Sequence, residues 1–145
     1  IFNFPQTKII YLTHKLYLMI INETFISQLL EKATSSNRLR QNFDLRNSES
    51  DTSQRMLNAL QPGTQVPIHR HEDTAETVIC LYGKLEEIFY EPINKENTKF
   101  RETSRVLLCP TEGKYGMQIP ISEWHSINVI EPSVIFEAKD GIYKG

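Results

Sequence analysis

The chain has little that would suit a disulfide scaffold, a nucleic-acid surface or a membrane anchor. Its 2 cysteines, Cys80 and Cys109, are too few in 145 residues for a disulfide framework and read as reduced core side chains. A net charge of −2, with 16 basic and 18 acidic residues interleaved, leaves no one-signed patch for nucleic acid or an anionic membrane. Long apolar runs are missing as well. The most apolar stretch, Ile9 to Ile21, is too short to cross a bilayer, carries Lys15 and lacks a small-residue cleavage site. No membrane partner, no nucleic-acid partner and a cytoplasmic location are therefore expected. There is no G-x-S-x-G and no Walker-type glycine loop, so serine-nucleophile and P-loop chemistry have no motif. Internal repeats and low-complexity tracts do not occur either.

What is present is concentrated between Gly63 and Gly83. Three metal-ligand side chains, His69, His71 and Glu76, fall within eight residues of a chain holding 4 histidines. In extended backbone, side chains alternate faces, so His69 and His71 point one way and Ile68 and Arg70 the other. Four residues then separate His71 from Glu76, enough for the chain to turn and return a carboxylate to the two imidazoles. The strand beginning at Glu76 places Val78, Cys80 and Tyr82 on the same face as the glutamate, and Thr77, Ile79 and Leu81 opposite. Gly63 and Gly83 bracket the stretch where a strand starts or turns. A lone His-x-His pair is more often a coincidence of one sheet face; here a carboxylate and two glycines accompany it.

Length suits one domain. The chain begins without methionine and Met19 precedes a sensible start, so residues 1–18 are expected to be a weakly ordered extension, with His14 an unpaired surface histidine. Residues 19–145 are expected to form the domain, with a helical arm over 19–62 and a β-barrel over 63–145. Asn22 or Thr24 would cap a helix running to about Thr34, with Ile26, Leu29, Leu30 and Ala33 as its buried stripe. Asp51 with Gln54 resembles a capping box, which predicts a second short helix over Asp51 to Leu60 with Met56, Leu57 and Leu60 inward. Strands are expected at 64–68, 77–82, 85–90, 100–108, 115–119, 126–129 and 134–139, at the spacing of an antiparallel sandwich or barrel.

The spacing of Gly63, His69, His71, Glu76 and Gly83 resembles the first signature of the cupin superfamily. The second signature of that family would be IPISEWHSIN, supplying Pro120, His125 and Asn128; Ser122 stands where the family pattern has a glycine. The resemblance implies an all-β cupin fold, a jelly-roll barrel with short N-terminal helices. It also implies one divalent metal ion per chain (Fe, Mn, Ni or Zn), held by His69, His71, Glu76 and His125. From about Met19 to Tyr143 the chain is further similar to the WbuC-type cupin metalloproteins, a family tied to surface-polysaccharide gene clusters. That similarity makes Arg38, Arg40, Asn42, Gln54 and Arg55 pocket candidates, with Arg46 where relatives often carry histidine.

Open positions on the ion would admit substrate. The expected function is binding or conversion of a sugar or sugar nucleotide, as an isomerase or epimerase. Arg38, Arg40 and Arg55 would hold a phosphate or carboxylate, and Tyr82, Tyr90 or Glu137 would move a proton. Trp124 would stack on a sugar ring or support the ligand strand. An Fe(II)-dependent oxygenase and a non-catalytic carbohydrate-binding or assembly protein are the alternatives. A homodimer is expected from the apolar face of Thr77, Ile79 and Leu81, unless the first helix covers that face.

Overall fold

In the computed structural model, residues 9–12 and 15–142 are described. His14 and residues 1–8 of the expected extension lie outside them. β1 (Ile9–Leu12) and β2 (Lys15–Leu18) pair antiparallel as a sheet of their own. α1 (Glu23–Ser35) follows, and Asn22 caps it by accepting from Phe25 N at 3.0 Å. Glu23 in the first turn and Lys32 in the last complement the helix dipole. The helix buries Leu29 and Ala33 against Phe43, Leu57, Ala59 and Val134, and each leucine so buried stabilises the fold by roughly 2 kcal/mol.

The main sheet is ordered β3 (Arg40–Asp44), β4 (Ser53–Leu60), β8 (Trp124–Asp140), β5 (Glu76–Pro92) and β6 (Phe100–Leu108), all antiparallel neighbours. β7 (Gly116–Ile119) pairs with the first part of β5, and β6 with the later part. Each of the two 17-residue strands, β5 and β8, therefore serves both ends of the barrel. They bend around Gly83, where the β5–β8 register shifts three times between Cys80 and Leu85. Gly83 has a φ of 95°, and a Cβ there would lie 2.2 Å from the Pro132 carbonyl oxygen. Only glycine fits.

The inward faces of these strands change chemistry along their length. Around the bend they are apolar: Leu60, Val78, Cys80, Leu85, Val129 and Ile135 form one buried cluster with Leu108 and Ile119. Beyond it the same faces turn polar, with Gln54 and Asn58 on β4, Glu76 and Glu87 on β5, and Glu137 and Lys139 on β8 all lining one cavity. The barrel is thus filled at one end and hollow at the other.

The structure corrects several expectations. The second helix is a strand: Ser53–Leu60 is β4, hydrogen-bonded to β3 and β8. Asp51 does accept backbone hydrogen bonds, but from Asn47 N and Ser53 N, which makes a turn into a strand rather than a helix cap. Met56, Leu57 and Leu60 misled because both faces of β4 are covered, one by α1 and one by the barrel. Residues 64–68 are not a strand. Pro67 has no N–H to give, and the carbonyls of Gln65 and Val66 accept instead from Arg40 Nη1 and Ser126 Oγ. The separate strands expected at 77–82 and 85–90 are one, as are those at 126–129 and 134–139. Tyr82 leaves the face of Glu76: the register shift at the bend turns it outward, 51 % exposed.

Candidate metal centre

His69, outside any strand, is brought to His125 near the start of β8 by an isolated antiparallel bridge. His69 N donates to His125 O at 3.0 Å, and His125 N to His69 O at 2.9 Å. His71 is tied to the same turn because its carbonyl accepts from Ser122 N at 2.8 Å. Ser122 has a φ of 67°, the left-handed conformation in which glycine costs least, so the serine keeps the turn that the family's glycine would make.

Each of the three histidines offers one ring nitrogen, and these nitrogens lie within 4.8 Å of one another. Two rings have their proton placed. His69 Nδ1 lies 2.9 Å from Pro67 O and His125 Nδ1 lies 2.8 Å from Glu123 O; a carbonyl only accepts, so both Nδ1 atoms carry the hydrogen. That leaves each Nε2 with a lone pair. His125 Nε2 is buried and has no hydrogen-bond partner. Burial also pushes both imidazoles below the usual histidine range, toward the neutral form that binds a metal.

His71 has different neighbours. Its Nε2 is 3.1 Å from Glu76 Oε2, and Lys139 Nζ is 3.0 Å from its Nδ1. Glu76 therefore joins the cluster through His71. Burial raises the Glu76 carboxyl, but the hydrogen bond and charge of His71 outweigh it and hold the group below the usual range. The three imidazoles are a donor set that fits a borderline divalent cation, with Glu76 outside that set and hydrogen-bonded to His71.

These residues line a cavity of roughly 200 Å³. Of the remaining sequence candidates, Arg40, Asn42, Gln54, Arg55 and Glu137 line it too. The Arg40 guanidinium is held by Gln65 O at 2.5 Å, and that of Arg55 by Ser53 O and Leu45 O at 2.8 and 3.0 Å. Arg38 is exposed and does not line it. Tyr82 faces solvent, and Tyr90 packs edge-on against Phe100 at 6.4 Å between ring centroids. Trp124 lines a neighbouring groove, where Arg70 lies 4.7 Å over its ring and Phe100 packs at 4.9 Å. Arg46, buried, clamps Asp44 through Nε and Nη2 and supports β3 from outside the cavity.

Three polar cavity residues escaped the sequence reading, Glu87, Asn58 and Lys139, along with the apolar Met56, Val66 and Ile127. Glu87 left a trace, since it interrupts the inward-facing series Leu85, Glu87, Phe89. Its carboxyl is raised well above the usual range by burial and by Glu137 and Glu76. Glu137 is pushed up to about 8 by burial and Glu76, against the pull of Lys139.

An antiparallel barrel whose open end gathers histidines from a His-x-His turn and a distant strand defines a cupin-fold protein with a candidate metal site. Solved structures agree on the fold. Oxalate oxidase, in complex with the substrate analogue glycolate, matches with a TM-score of 0.57 at 15 % identity, over 77 % of this chain and 56 % of its own. The capsular polysaccharide assembling protein CapF from Staphylococcus aureus gives 0.54 at 17 % identity, over 75 % and 30 %. KdgF from Halomonas sp. gives 0.53 at 14 % identity, over 72 % and 81 %. The chain thus spans about half of the oxalate oxidase chain and less than a third of CapF. No curated protein matches it. The family described as "Domain of unknown function (DUF6016)" matches residues 21–101, and the chain belongs to that family.

Proposed function

We propose that this protein binds one divalent metal ion through His69, His71, His125 and Glu76 and uses the cavity beside it to hold a sugar or sugar-like small molecule. The observation that carries the reading is that ring nitrogens of His69, His71 and His125 lie within 4.8 Å of one another while Nδ1 of His69 and of His125 each rests on a backbone carbonyl, which assigns the hydrogen to Nδ1 and the lone pair to Nε2. When bound, the ion would supply a Lewis acid able to polarise a ligand oxygen. The protein's own groups do the rest. Arg40, Asn42 and Gln54 orient the ligand from β3 and β4, and Glu137, with its raised carboxyl pKa, holds a proton at neutral pH that a substrate oxygen can receive.

The residue-level similarity to WbuC-type cupins supports a place in surface-polysaccharide biosynthesis in the cytoplasm, with isomerisation or epimerisation as the reaction. CapF, which shares the fold, is named for capsular polysaccharide assembly, in agreement with that context. Among the described residues no helix is long and apolar enough to cross a membrane. A homodimer belongs to the same proposal. α1 packs on β3, β4 and β8, and Leu81 is 38 % exposed; light scattering tests it.

The functional test is a panel of nucleotide sugars incubated with metal-loaded protein and followed by NMR. Altered sugar stereochemistry, lost in His69→Ala, supports the enzyme. Saturable binding without turnover supports a carbohydrate-binding role, and neither binding nor turnover contradicts the proposal. Oxygen uptake dependent on Fe(II) would favour an oxygenase instead.

A further inference from the structure

Among the described residues, three buried side-chain atoms of cavity-lining residues lack a hydrogen-bond partner within the protein: His125 Nε2, Gln54 Oε1 and Glu87 Oε2. The proposed ion accounts for the first. The other two belong to no metal-binding set. Gln54 is 5 % exposed and Glu87 1 % exposed. Gln54 Nε2 donates to Gly141 O at 2.7 Å, which fixes the amide and leaves Oε1 as a buried acceptor on a residue that lines the cavity. Buried polar atoms are nearly always paired, so two such atoms on the walls of one cavity point to a molecule that pairs them.

Glu87 extends from β5 between Leu85 and Phe89, with Val106 of β6 and Ile127 of β8 as its register partners. The charged groups acting on it are Glu137 of β8 and Glu76 of its own strand, both carboxyls. Glu76 is engaged with His71. Buried and beside other acids, the form of Glu87 that persists is the neutral one, which has an O–H to donate. The cavity, at roughly 200 Å³, is below the ~300–1,000 Å³ of drug-sized pockets. It suits one sugar ring rather than a whole nucleotide.

We infer that Glu87 is a neutral carboxylic acid that donates its O–H to a ligand oxygen, while Gln54 Oε1 accepts from a hydroxyl of the same molecule. Recognition then has a second, metal-independent half that selects an uncharged, hydroxylated ring. This rests on the proposal that the cavity holds a sugar-like ligand; it does not rest on the ion.

Infrared spectroscopy of the full chain at pH 7, metal-free and metal-loaded, tests it with D-galactose, N-acetyl-D-glucosamine and D-glucuronate as probes. The expected wild-type spectrum has a deuterium-sensitive carbonyl band from a protonated carboxyl. Glu137, itself protonated at this pH, adds a second such band, so the Glu87 band is read in Glu137→Gln: there it persists, disappears when Glu87→Gln is added, and moves to lower frequency with at least one neutral sugar. Metal uptake by Glu87→Gln stays at the wild-type level, and affinity for that sugar falls about tenfold in Glu87→Leu, which has no donor to replace the O–H, the loss of one hydrogen bond. Absence of the band in Glu137→Gln, its survival in the double variant, or its indifference to all three sugars overturns the inference. So does loss of metal uptake in Glu87→Gln, which would put the residue in the metal site. Should Glu87→Gln fail to fold, the wild-type band and its persistence in Glu137→Gln still decide the assignment. Because the metal-free protein carries the band and its shift, a wild type that takes up no metal would defeat the metal reading while leaving this result to stand or fall separately.

Discussion

Replacing Glu137 by glutamine should make the metal-free protein more stable at neutral pH, and the size of the gain follows from the site. The Glu137 carboxyl is held at about 8 in the folded chain, raised by burial and by Glu76, against a value of 4.5 when solvated. A carboxyl raised on folding gives its full contribution to stability below pH 4.5, and that contribution is lost as pH rises through 4.5 toward 8. Each pH unit in that window costs about 1.4 kcal/mol. The two and a half units from 4.5 to neutrality therefore remove about 3 kcal/mol at pH 7. Glutamine fills the same space without titrating and escapes this loss. For a chain of 145 residues, about 3 kcal/mol corresponds to roughly 10 °C in Tm. Circular dichroism melts in EDTA, from pH 5 to 8, would measure it. Wild type should lose Tm steadily across the range and Glu137→Gln should lose much less, so that the curves separate as pH rises. Parallel curves, or a separation that shrinks with pH, would refute the assignment of Glu137 as a neutral acid.

Two further substitutions test how the site is positioned. Gly83→Ala should cost about 3 kcal/mol or more in chemical denaturation, because it combines left-handed backbone with a Cβ at 2.2 Å from the Pro132 oxygen; a loss under about 1 kcal/mol would mean that the β5–β8 bend yields easily. Ser122→Gly should stabilise by about 1 kcal/mol, since the φ of 67° strains a serine and not a glycine. Destabilisation would show that the serine side chain contributes something this geometry does not reveal.

The parts legible in the sequence were those governed by local rules. Asn22 and the stripe through Leu29 and Ala33 marked α1, and Phe100–Leu108 was read with its observed bounds. His69 and His71 came together as the alternation argument required, although the backbone around them is a turn braced by Ser122 N and the His125 carbonyl rather than a strand. What escaped reading depends on tertiary context. β4 looked helical because a strand covered on both faces loses its two-residue pattern. Tyr82 was assigned inward because nothing in its neighbours announces three register shifts at the bend. Those same shifts return Leu85 and Glu87 to the interior, a placement that the local residue pattern does not carry. Lys139 of β8 sits beside His71 from 68 positions away in sequence, a contact that only the folded barrel creates.

The central claim is that three imidazoles and a carboxylate hold one divalent cation at the open end of the barrel. Elemental analysis of freshly purified protein, alongside His125→Ala, tests it most directly. About one divalent ion per chain in the wild type, falling to near zero in a folded His125→Ala, is the predicted result. Wild-type protein that stays metal-free even after dialysis against Mn, Fe, Ni and Zn, or a variant that keeps its ion, would contradict it.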